Sequence, residues 1–493
     1  MIYAHLPVLQ VVVPLVSAPL IVLFRNARAG WLIAVAASAF SLASAITILL
    51  DVQATGVISY AIGSWPPPWG IEYRIDAANS FLLVLLGLVA TVVALYARTS
   101  VAAEVPEEQR YLFYAMYCLC LAGLAGITVT GDAFNIFVFL EISSLSSYVL
   151  IALARDRRAL LAAYQYLILG TIGATFIVIG VGLLYLVTGT LNIRDIATRI
   201  GAVEETRPVL AALAFLTVGI SLKAALFPLH MWLPGAYAYA PSATSSFLAA
   251  TATKVSLYVL LRFYFSVFGA AYVFGALPMG DILLGLSLAA MFIASTAACF
   301  QSDLKRVLAY SSVAQVGYIT LGISFASKTG LTAGIVHLFN HGVTKGALFM
   351  LVGAAAFRLR GVRLDDMGGL AKSMPITCAG IVLGGLSLIG VPGTAGFVTK
   401  WYLVLAALES GAWWIAFMPV ASSLLAVVYV WRFVEVAYFR PPSEHVARLH
   451  EAPPGLLVPA GLLLAAVVYF GVDPTLTVDA AARAAESLLG GAR

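Results

Sequence analysis

Apolar residues fill most of this sequence in runs that are long enough to cross a lipid bilayer. A helix that crosses the hydrocarbon core needs about 20 mostly apolar residues. Such runs fall near residues 4–24, 29–50, 79–98, 111–130, 133–153, 161–187, 208–227, 242–268, 276–300, 304–327, 331–357, 375–409, 414–438 and 455–472. The pattern predicts an all-α integral membrane protein with about fourteen transmembrane helices.

Two of the runs are interrupted. The seventh meets Pro228 in "ALFPLHMWLPG", and the twelfth is overlong and contains "IGVPGTAG". Glycine and proline at membrane depth free backbone groups that lipid cannot satisfy, so the breaks must be buried in protein or face a wet cavity. Broken helices in two parts of one chain are typical of transporters whose site lies at the breaks. We therefore expect discontinuous helices 7 and 12.

The loops divide the basic residues unevenly. Loops after even-numbered runs hold few of them, and cytoplasmic loops are the ones enriched in lysine and arginine, so we expect both termini on the outer face of the membrane. The first run has no basic residue before it and two arginines after it, the reverse of a secretory signal, so it should remain as a span. The basic residues of the odd-numbered loops are Arg25, Arg28, Arg98, Arg110, Arg155, Arg157, Arg158, Lys305, Arg306, Arg358, Arg360, Arg363, Lys372, Arg440 and Arg448.

Composition excludes several other classes of protein. Hydrophobic residues make up 62% of the chain and charged residues 10%, whereas soluble domains are about 25% charged. The net charge of +5 is spread over short loops and forms no basic face for nucleic acid. The four cysteines lie in apolar runs, without the second pair that a metal site needs.

The polar stretch 51–79 predicts a short hairpin on the outer side.

Ionisable residues lie inside the runs, where each costs roughly 3 kcal/mol of insertion free energy and is a functional hypothesis by default. Glu141 is central in the fifth run, among four serines, and Lys223 lies in the seventh. Lys254 lies in the eighth, and Lys400 follows the break in the twelfth. The buried charge of Lys223 becomes tolerable if Glu141 forms an ion pair with it. An ion pair that a nearby change can form or break can act as a switch.

The eleventh run carries His337, His341 and Lys345 at i, i+4 and i+8, on one helix face. Two histidines at this spacing also suit a metal, but the third member is a lysine and no acid lies nearby, so a relay of protonatable groups is favoured. Any one of these residues could be structural. One acid, four lysines and two histidines over five runs are more than packing requires.

Four motifs, in this order, resemble the antiporter-like family shared by respiratory complex I, energy-converting hydrogenases and Mrp-type multisubunit sodium/proton antiporters. They are "GISLKAALFPLHMWLPGAYAYAPSATSSFLAATATKVSLYVLLR", "SDLKRVLAYSSVAQVGYITLGI", "HLFNHGVTKGALFMLVG" and "GVPGTAGFVTKW". The resemblance covers residues 75 to 440 and implies two inverted five-helix repeats, in residues 111–268 and 276–438. Three spans would precede them in residues 1–110, and a last span with an amphipathic tail would follow in residues 439–493.

The resemblance also implies a proton pathway, without cofactor or metal. Glu141 and Lys223 look like the glutamate–lysine pair of the family, and Lys254 looks like its connecting lysine. His337, His341 and Lys345 look like its central relay, and Lys400 looks like its exit-side lysine. Gly235 and Tyr237 stand where many complex I relatives have an acid and a histidine, which is similar to the D-type Mrp protein. The end of the chain soon after the last run, without a long lateral helix, also favours the D type over the A type.

These features lead us to expect a proton-translocating subunit of a multisubunit monovalent cation/proton antiporter in a bacterial or archaeal inner membrane. The partners would be other hydrophobic antiporter subunits, and the cation would be sodium. The alternative is the proton-pumping membrane subunit of a redox-driven complex, such as a membrane-bound hydrogenase or an NADH:quinone oxidoreductase. A self-sufficient channel or a scaffold is a third interpretation, and on its own the chain is not expected to be an enzyme.

Overall fold

Helices account for most of residues 2–490, the part of the chain that this computed structural model describes. The α-helices are α1 (Leu6–Phe24), α2 (Ala27–Thr55), α3 (Ala77–Glu104), α4 (Arg110–Val129), α5 (Ala133–Ala152), α6 (Arg158–Thr188), α7 (Ile193–Ile200), α8 (Arg207–Ala224), α9 (Leu233–Tyr239), α10 (Ser242–Ala250), α11 (Ala252–Leu261), α12 (Met279–Ala289), α13 (Ser295–Cys299), α14 (Leu304–Ser324), α15 (Lys328–Leu359), α16 (Leu370–Ser373), α17 (Pro375–Ile389), α18 (Ala395–Glu409), α19 (Trp413–Val434), α20 (Glu444–Ala447), α21 (Pro454–Val472) and α22 (Thr475–Leu489). Short 3₁₀ turns are Ile2–His5, Ile62–Ser64, Glu107–Gln109 and Leu364–Met367, and π turns are Arg262–Val267, Ala271–Ala276, Ala290–Ala294 and Glu435–Phe439.

The predicted membrane fold is confirmed. Within residues 2–490, 13 helical segments are long and apolar enough to cross a membrane. The predicted twelfth run is divided into α17 and α18. Gly390, with a φ of +88°, ends α17, and its N–H donates to the carbonyls of Leu386 and Ser387. The protein is therefore a multi-pass integral membrane protein with its predicted twelfth helix broken.

Two further breaks lie near each other along the chain. Helix α8 ends at Ala224, and Ala225 has a φ of +55°, so the chain turns before Pro228 and re-enters helix at α9, as expected for the seventh run. The eighth run was expected to be one continuous helix, and this detail is wrong. Thr251, with φ −124° and ψ −56°, separates α10 from α11. No glycine or proline marks this break, which explains why the sequence pattern did not indicate it.

The predicted hairpin is present. Strand β1 (Ile58–Ala61) pairs with β2 (Glu72–Ile75) in antiparallel register, with Ile58 opposite Ile75. Asp76 follows β2 and caps α3, because its carboxylate accepts from the backbone of Ala78 and Asn79. The hairpin therefore leads directly into the third span.

Helix α15 lies at the centre of the molecule. Nearly all of its residues between 330 and 355 are buried, and it packs against α3, α10, α14, α17, α18, α21 and α22. Close approach depends on Gly342, where a Cβ would lie 2.9 Å from the carbonyl oxygen of Ala250 at the end of α10. Helix α22 lies within the predicted amphipathic tail, and its apolar face includes buried Ala481 and Leu488, while residues 491–493 of that tail lie outside the described residues.

Candidate functional site

Glu141 and Lys223 face each other between α5 and α8. The Lys223 Nζ lies 3.2 Å from the Glu141 Oε1 and donates to the Ser144 Oγ at 2.7 Å. The Lys223 side chain is 3% exposed, whereas that of Glu141 is 27% exposed. A buried ammonium is costly unless it is paired and hydrogen-bonded. The carboxylate therefore stabilises the lysine, and its partly exposed side gives the pair a connection to the surroundings.

A small cavity lies beside Lys223. Its volume is about 10 Å³, and its polar lining includes Lys223, Ser144, Ser147 and Ser256 of α11, among apolar side chains such as Leu140. A space of this size holds about one water molecule when polar groups are within reach. The cavity therefore places hydroxyl groups of α5 and α11 close to the Lys223 ammonium.

Lys254 lies in the first turn of α11, directly after the break at Thr251. Its Nζ donates to the carbonyl oxygen of Ala249 at 2.5 Å and to the Thr253 Oγ1 at 3.3 Å. The side chain is fully buried. Among residues 2–490 it has no carboxylate within ion-pair distance. The break in the helix thus frees a backbone carbonyl, and that carbonyl holds the ammonium group.

His337 and His341 form a stacked pair on α15. Their ring centroids are 5.4 Å apart and their planes differ by 12°. Both side chains are buried, and none of their four ring nitrogens has a hydrogen-bond partner within the described part of the chain. Buried polar atoms without partners are rare and require an explanation. A relay supplies one, because each imidazole can accept a proton at one nitrogen and donate it from the other.

Lys345 lies one turn beyond His341 on the same face of α15. Its Nζ donates to the carbonyl oxygen of Leu308 at 2.8 Å and to the Ser311 hydroxyl, both on α14. Lys254 and Lys345 are close enough to act on His341 electrostatically. Ionisable groups at this range alter the free energy of one another's protonation. The cluster is thus coupled, with the charge on one member affecting the others.

Lys400 occupies the break between α17 and α18. Its Nζ donates to the carbonyl oxygens of Leu388 and Ile389, at 3.0 and 2.5 Å, and to the Ser423 Oγ at 2.6 Å. These carbonyls end α17, where the helix dipole is negative and favours a cation. The lysine therefore lies where the broken helix supplies both hydrogen bonds and a favourable field.

Tyr318 of α14 connects Lys400 to the histidines. Its ring centroid lies 5.8 Å from that of His337, and the Lys400 Nζ lies 5.1 Å from the Tyr318 ring centroid. The tyrosine hydroxyl donates to the carbonyl of Pro419 at 3.2 Å. Sequence reasoning missed Tyr318 because an aromatic residue in an apolar run usually indicates packing. Its position between a histidine and a lysine could not be read from spacing along α14.

Six of the seven predicted site residues are buried, and Glu141, the seventh, is partly exposed beside Lys223. We call these residues and Tyr318 the buried polar line, and from α5 to α18 its members are Glu141, Lys223, Lys254, His341, His337, Tyr318 and Lys400, with Lys345 beside it. Direct contacts join Glu141 to Lys223, His341 to His337, and His337 through Tyr318 to Lys400. Two of its lysines, Lys254 and Lys400, lie at helix breaks. Chemically the line consists of proton donors and acceptors.

Two further acids near the ends of predicted runs, Asp132 and Glu435, do not belong to this line. Asp132 caps α5, where its carboxylate accepts from the Asn135 N–H at 2.7 Å. Glu435 forms an exposed ion pair with Arg440 at 3.0 Å. Within residues 2–490, no group of three or more histidine, cysteine, aspartate or glutamate side chains is arranged to hold a metal ion.

A second buried ion pair, which the sequence did not indicate, lies beyond Lys254 at the end of α11. Arg262 donates to Asp76 at 2.5 Å and to the Tyr258 hydroxyl at 2.7 Å. Burial opposes the ionised form of Asp76, but the Arg262 guanidinium and two backbone N–H groups outweigh it and hold the pKa of Asp76 below its ordinary range. The pair joins α3 to the end of α11 beside a cavity of about 410 Å³.

The chain is similar to known membrane proteins over nearly its full length. The family described as NADH:quinone oxidoreductase/Mrp antiporter, transmembrane, matches residues 130–426. The chain is 40% identical to the N-type NADH-quinone oxidoreductase subunit of Desulforudis audaxviator, over 95% of this chain and 96% of that protein. It is 29% identical to the D-type Na⁺/H⁺ antiporter subunit of Bacillus subtilis, over 98% and 97%. A chain of the Mrp complex from Dietzia sp. superimposes with a TM-score of 0.90 and 26% identity, over 99% and 98%.

Proposed function

The chain belongs to the family of NADH:quinone oxidoreductase and Mrp antiporter transmembrane subunits, and on this premise we propose that it translocates protons within a multisubunit monovalent cation/proton antiporter. The observation that carries the proposal is the buried line of ionisable groups, with two histidines at its centre whose ring nitrogens have no hydrogen-bond partner within residues 2–490. Packing alone gives no reason to bury four lysines and two histidines along one line.

In the proposed pathway, protons enter near Glu141 and Lys223 and reach Lys254 through the small hydroxyl-lined cavity. They then pass the histidine pair, with Lys345 as a coupled neighbour, and leave by Lys400. Loss of the proton from Lys254 would relieve its repulsion of a proton on His341, so each transfer would favour the next. Glu141 would act as the switch, because its pairing with Lys223 decides whether that lysine keeps its proton.

The wider arrangement is part of the same proposal. The two inverted repeats would occupy residues 111–268 and 276–438. The breaks after Ala224 and at Thr251 would lie in the first repeat, and the break after Ile389 in the second. Both termini would face the outside, as the distribution of basic loop residues indicates. The exchanged cation would be sodium, and its site would lie on or beside a partner protein. The relatives named for multisubunit complexes support the presence of hydrophobic partners.

Substitution of the ion pair tests the pathway. Glu141→Ala and Lys223→Ala should each abolish proton transport in inverted membrane vesicles while the complex still assembles. Glu435→Ala serves as the matched control, because it removes an exposed glutamate outside the line. Transport at the wild-type rate in either pathway variant would exclude the pair from proton movement.

A second candidate function is supported by the 40% identity to an N-type NADH-quinone oxidoreductase subunit. In that case the same line would pump protons, and electron transfer in another protein of the complex would drive it. Purification of the complex through a tag on this chain, followed by mass spectrometry, distinguishes the two. Small hydrophobic subunits and an A-type relative would support the antiporter. Iron–sulfur subunits would support the redox complex and leave the proton pathway unchanged.

A further inference from the structure

A basic cavity of about 340 Å³ lies where α2, α3 and α4 meet at the ends that carry the odd-numbered loops. Its lining includes Arg28, Arg98 and Arg110, together with Trp31 and Tyr114. The side with these loops is the more basic side of the molecule. The buried polar line does not include any of these residues.

The three arginines have no anionic partner within residues 2–490, since none of them takes part in an ion pair there. The nearest acids in sequence are Glu104, Glu107 and Glu108. Glu104 is held by the Ser242 backbone N–H and hydroxyl. Glu107 and Glu108 are exposed and lie in a separate 3₁₀ turn. Three guanidinium groups therefore line one concave space without neutralisation.

The protein positions these groups through neutral contacts. Arg110 donates from its Nη2 to the Ala102 carbonyl at 2.8 Å. The Arg98 guanidinium lies 4.8 Å from the Trp31 ring centroid, and the Trp31 indole donates to the Ala94 carbonyl at 3.0 Å. Contacts of this kind fix the direction of a guanidinium while leaving its remaining N–H groups free to bind.

Apolar side chains are exposed on α2 beside the cavity and at the end of α1, the helix before it. Leu32 lines the cavity and is 59% exposed. Leu23 and Phe24 end α1 and are 75% and 59% exposed, and both helices are apolar enough to cross a membrane. A tryptophan such as Trp31, near the end of a span, is typical of the membrane interface. The site thus presents a charged concavity at headgroup level and an apolar strip for a hydrocarbon chain.

We propose that this cavity binds the phosphate of an anionic phospholipid from the adjoining leaflet. Arginine matches phosphate geometry with paired N–H donors, and basic pockets between transmembrane helices are suited to acidic headgroups. The exposed leucines and phenylalanine favour a lipid over free phosphate, because they offer the acyl chain a surface that inorganic phosphate cannot use.

Native mass spectrometry of the complex, purified through a tag on this chain, tests the proposal. Wild-type complex should retain phosphatidylglycerol in preference to phosphatidylcholine. Arg98→Gln and Arg28→Gln should each lower that retention by about fivefold. Arg157→Gln is the control, because Arg157 is exposed on the same side but does not line the cavity. Equal retention by wild type and both cavity variants would overturn the proposal.

A second arm separates lipid from free phosphate. The thermal unfolding midpoint of the complex is measured in phosphatidylcholine nanodiscs, with added inorganic phosphate or with phosphatidylglycerol in the bilayer. We expect only phosphatidylglycerol to raise the midpoint, and only when Arg28 and Arg98 are intact. An equal rise with inorganic phosphate would show that the cavity is a free-phosphate site and would refute the lipid assignment.

Discussion

Replacing Glu141 with glutamine removes one charge from the Glu141–Lys223 pair while keeping the shape of the side chain. At the observed separation of 3.2 Å, an effective dielectric constant of about 20 makes the attraction about 5 kcal/mol. Because the Glu141 side chain is 27% exposed, water screens part of it. We therefore expect a loss of about 3 kcal/mol, the lower end of the cost of breaking a buried pair.

If this attraction stabilises the proton-loaded state that limits transport, the loss corresponds to a rate about 100-fold lower. The assay is the initial rate of proton movement in inverted membrane vesicles, followed with a pH-sensitive dye and normalised to the amount of assembled complex. Glu435→Gln is the matched control. A Glu141→Gln rate within about twofold of wild type, at equal assembly, would refute the reasoning.

The variant Glu141→Asp adds a graded test of the same argument. It withdraws the carboxylate from Lys223 by about 1.5 Å, the length of one C–C bond. Without screening, the attraction then falls from about 5 to about 3.5 kcal/mol. With screening by water, the loss of attraction is about 1 kcal/mol. Transport should therefore be about fivefold slower than in wild type, well above the glutamine variant. Equal rates in the aspartate and glutamine variants would show that distance does not control the step.

Three further predictions concern the histidine pair, the break between α17 and α18, and the Arg262–Asp76 ion pair. His341→Gln should slow proton transport in vesicles at least tenfold without lowering the thermal unfolding midpoint of the complex, because it interrupts the line between Lys254 and His337; normal transport would contradict this. Gly396→Ala should reduce the yield of folded complex, since its Cβ would lie 1.8 Å from the Ser387 carbonyl oxygen, whereas Gly182→Ala, with open space around it, should not. Arg262→Gln should lower the free energy of unfolding by about 3–5 kcal/mol, because it leaves Asp76 buried and unpaired. Denaturation measures this change, and a decrease below about 1 kcal/mol would mean that the pair is not important for stability.

Most of the fold could be predicted because lipid imposes a length and a polarity on each span. The run at 161–187, for example, matches α6 (Arg158–Thr188), and the glycines of the twelfth run indicated the end of α17. The break at Thr251 could not be predicted, since it lacks glycine and proline. There the Lys254 ammonium takes a carbonyl that an unbroken helix would use itself. Tertiary packing of α10 against α15 decides that competition, and local sequence does not reveal it.

The candidate site residues could be predicted for a related reason, because a charged side chain inside an apolar run costs insertion free energy wherever it lies. Their partners were harder to identify. Tyr318 is an aromatic residue in an apolar run and gives no sequence signal of a functional role. It belongs to the line only because α14 positions it between His337 and Lys400. Arg262 lies at the end of a run, where a long side chain usually reaches water, but here it donates to Asp76, which follows the hairpin, and is partly buried. Both contacts join residues far apart in the chain.

The lysines differ in how their charge is stabilised, and in the proposed pathway this difference would give proton movement a direction. Lys223 is paired with a carboxylate, whereas Lys254 and Lys400 are held by neutral carbonyl and hydroxyl oxygens at helix breaks. A full negative charge favours the protonated state more strongly than backbone dipoles do. In that pathway a proton taken up at the Glu141 end would be held until the pair separates, and it would then reach lysines that release it more readily. The helix breaks thus allow buried lysines without carboxylate partners, an arrangement that the proposed relay requires and that a purely structural ion pair would not.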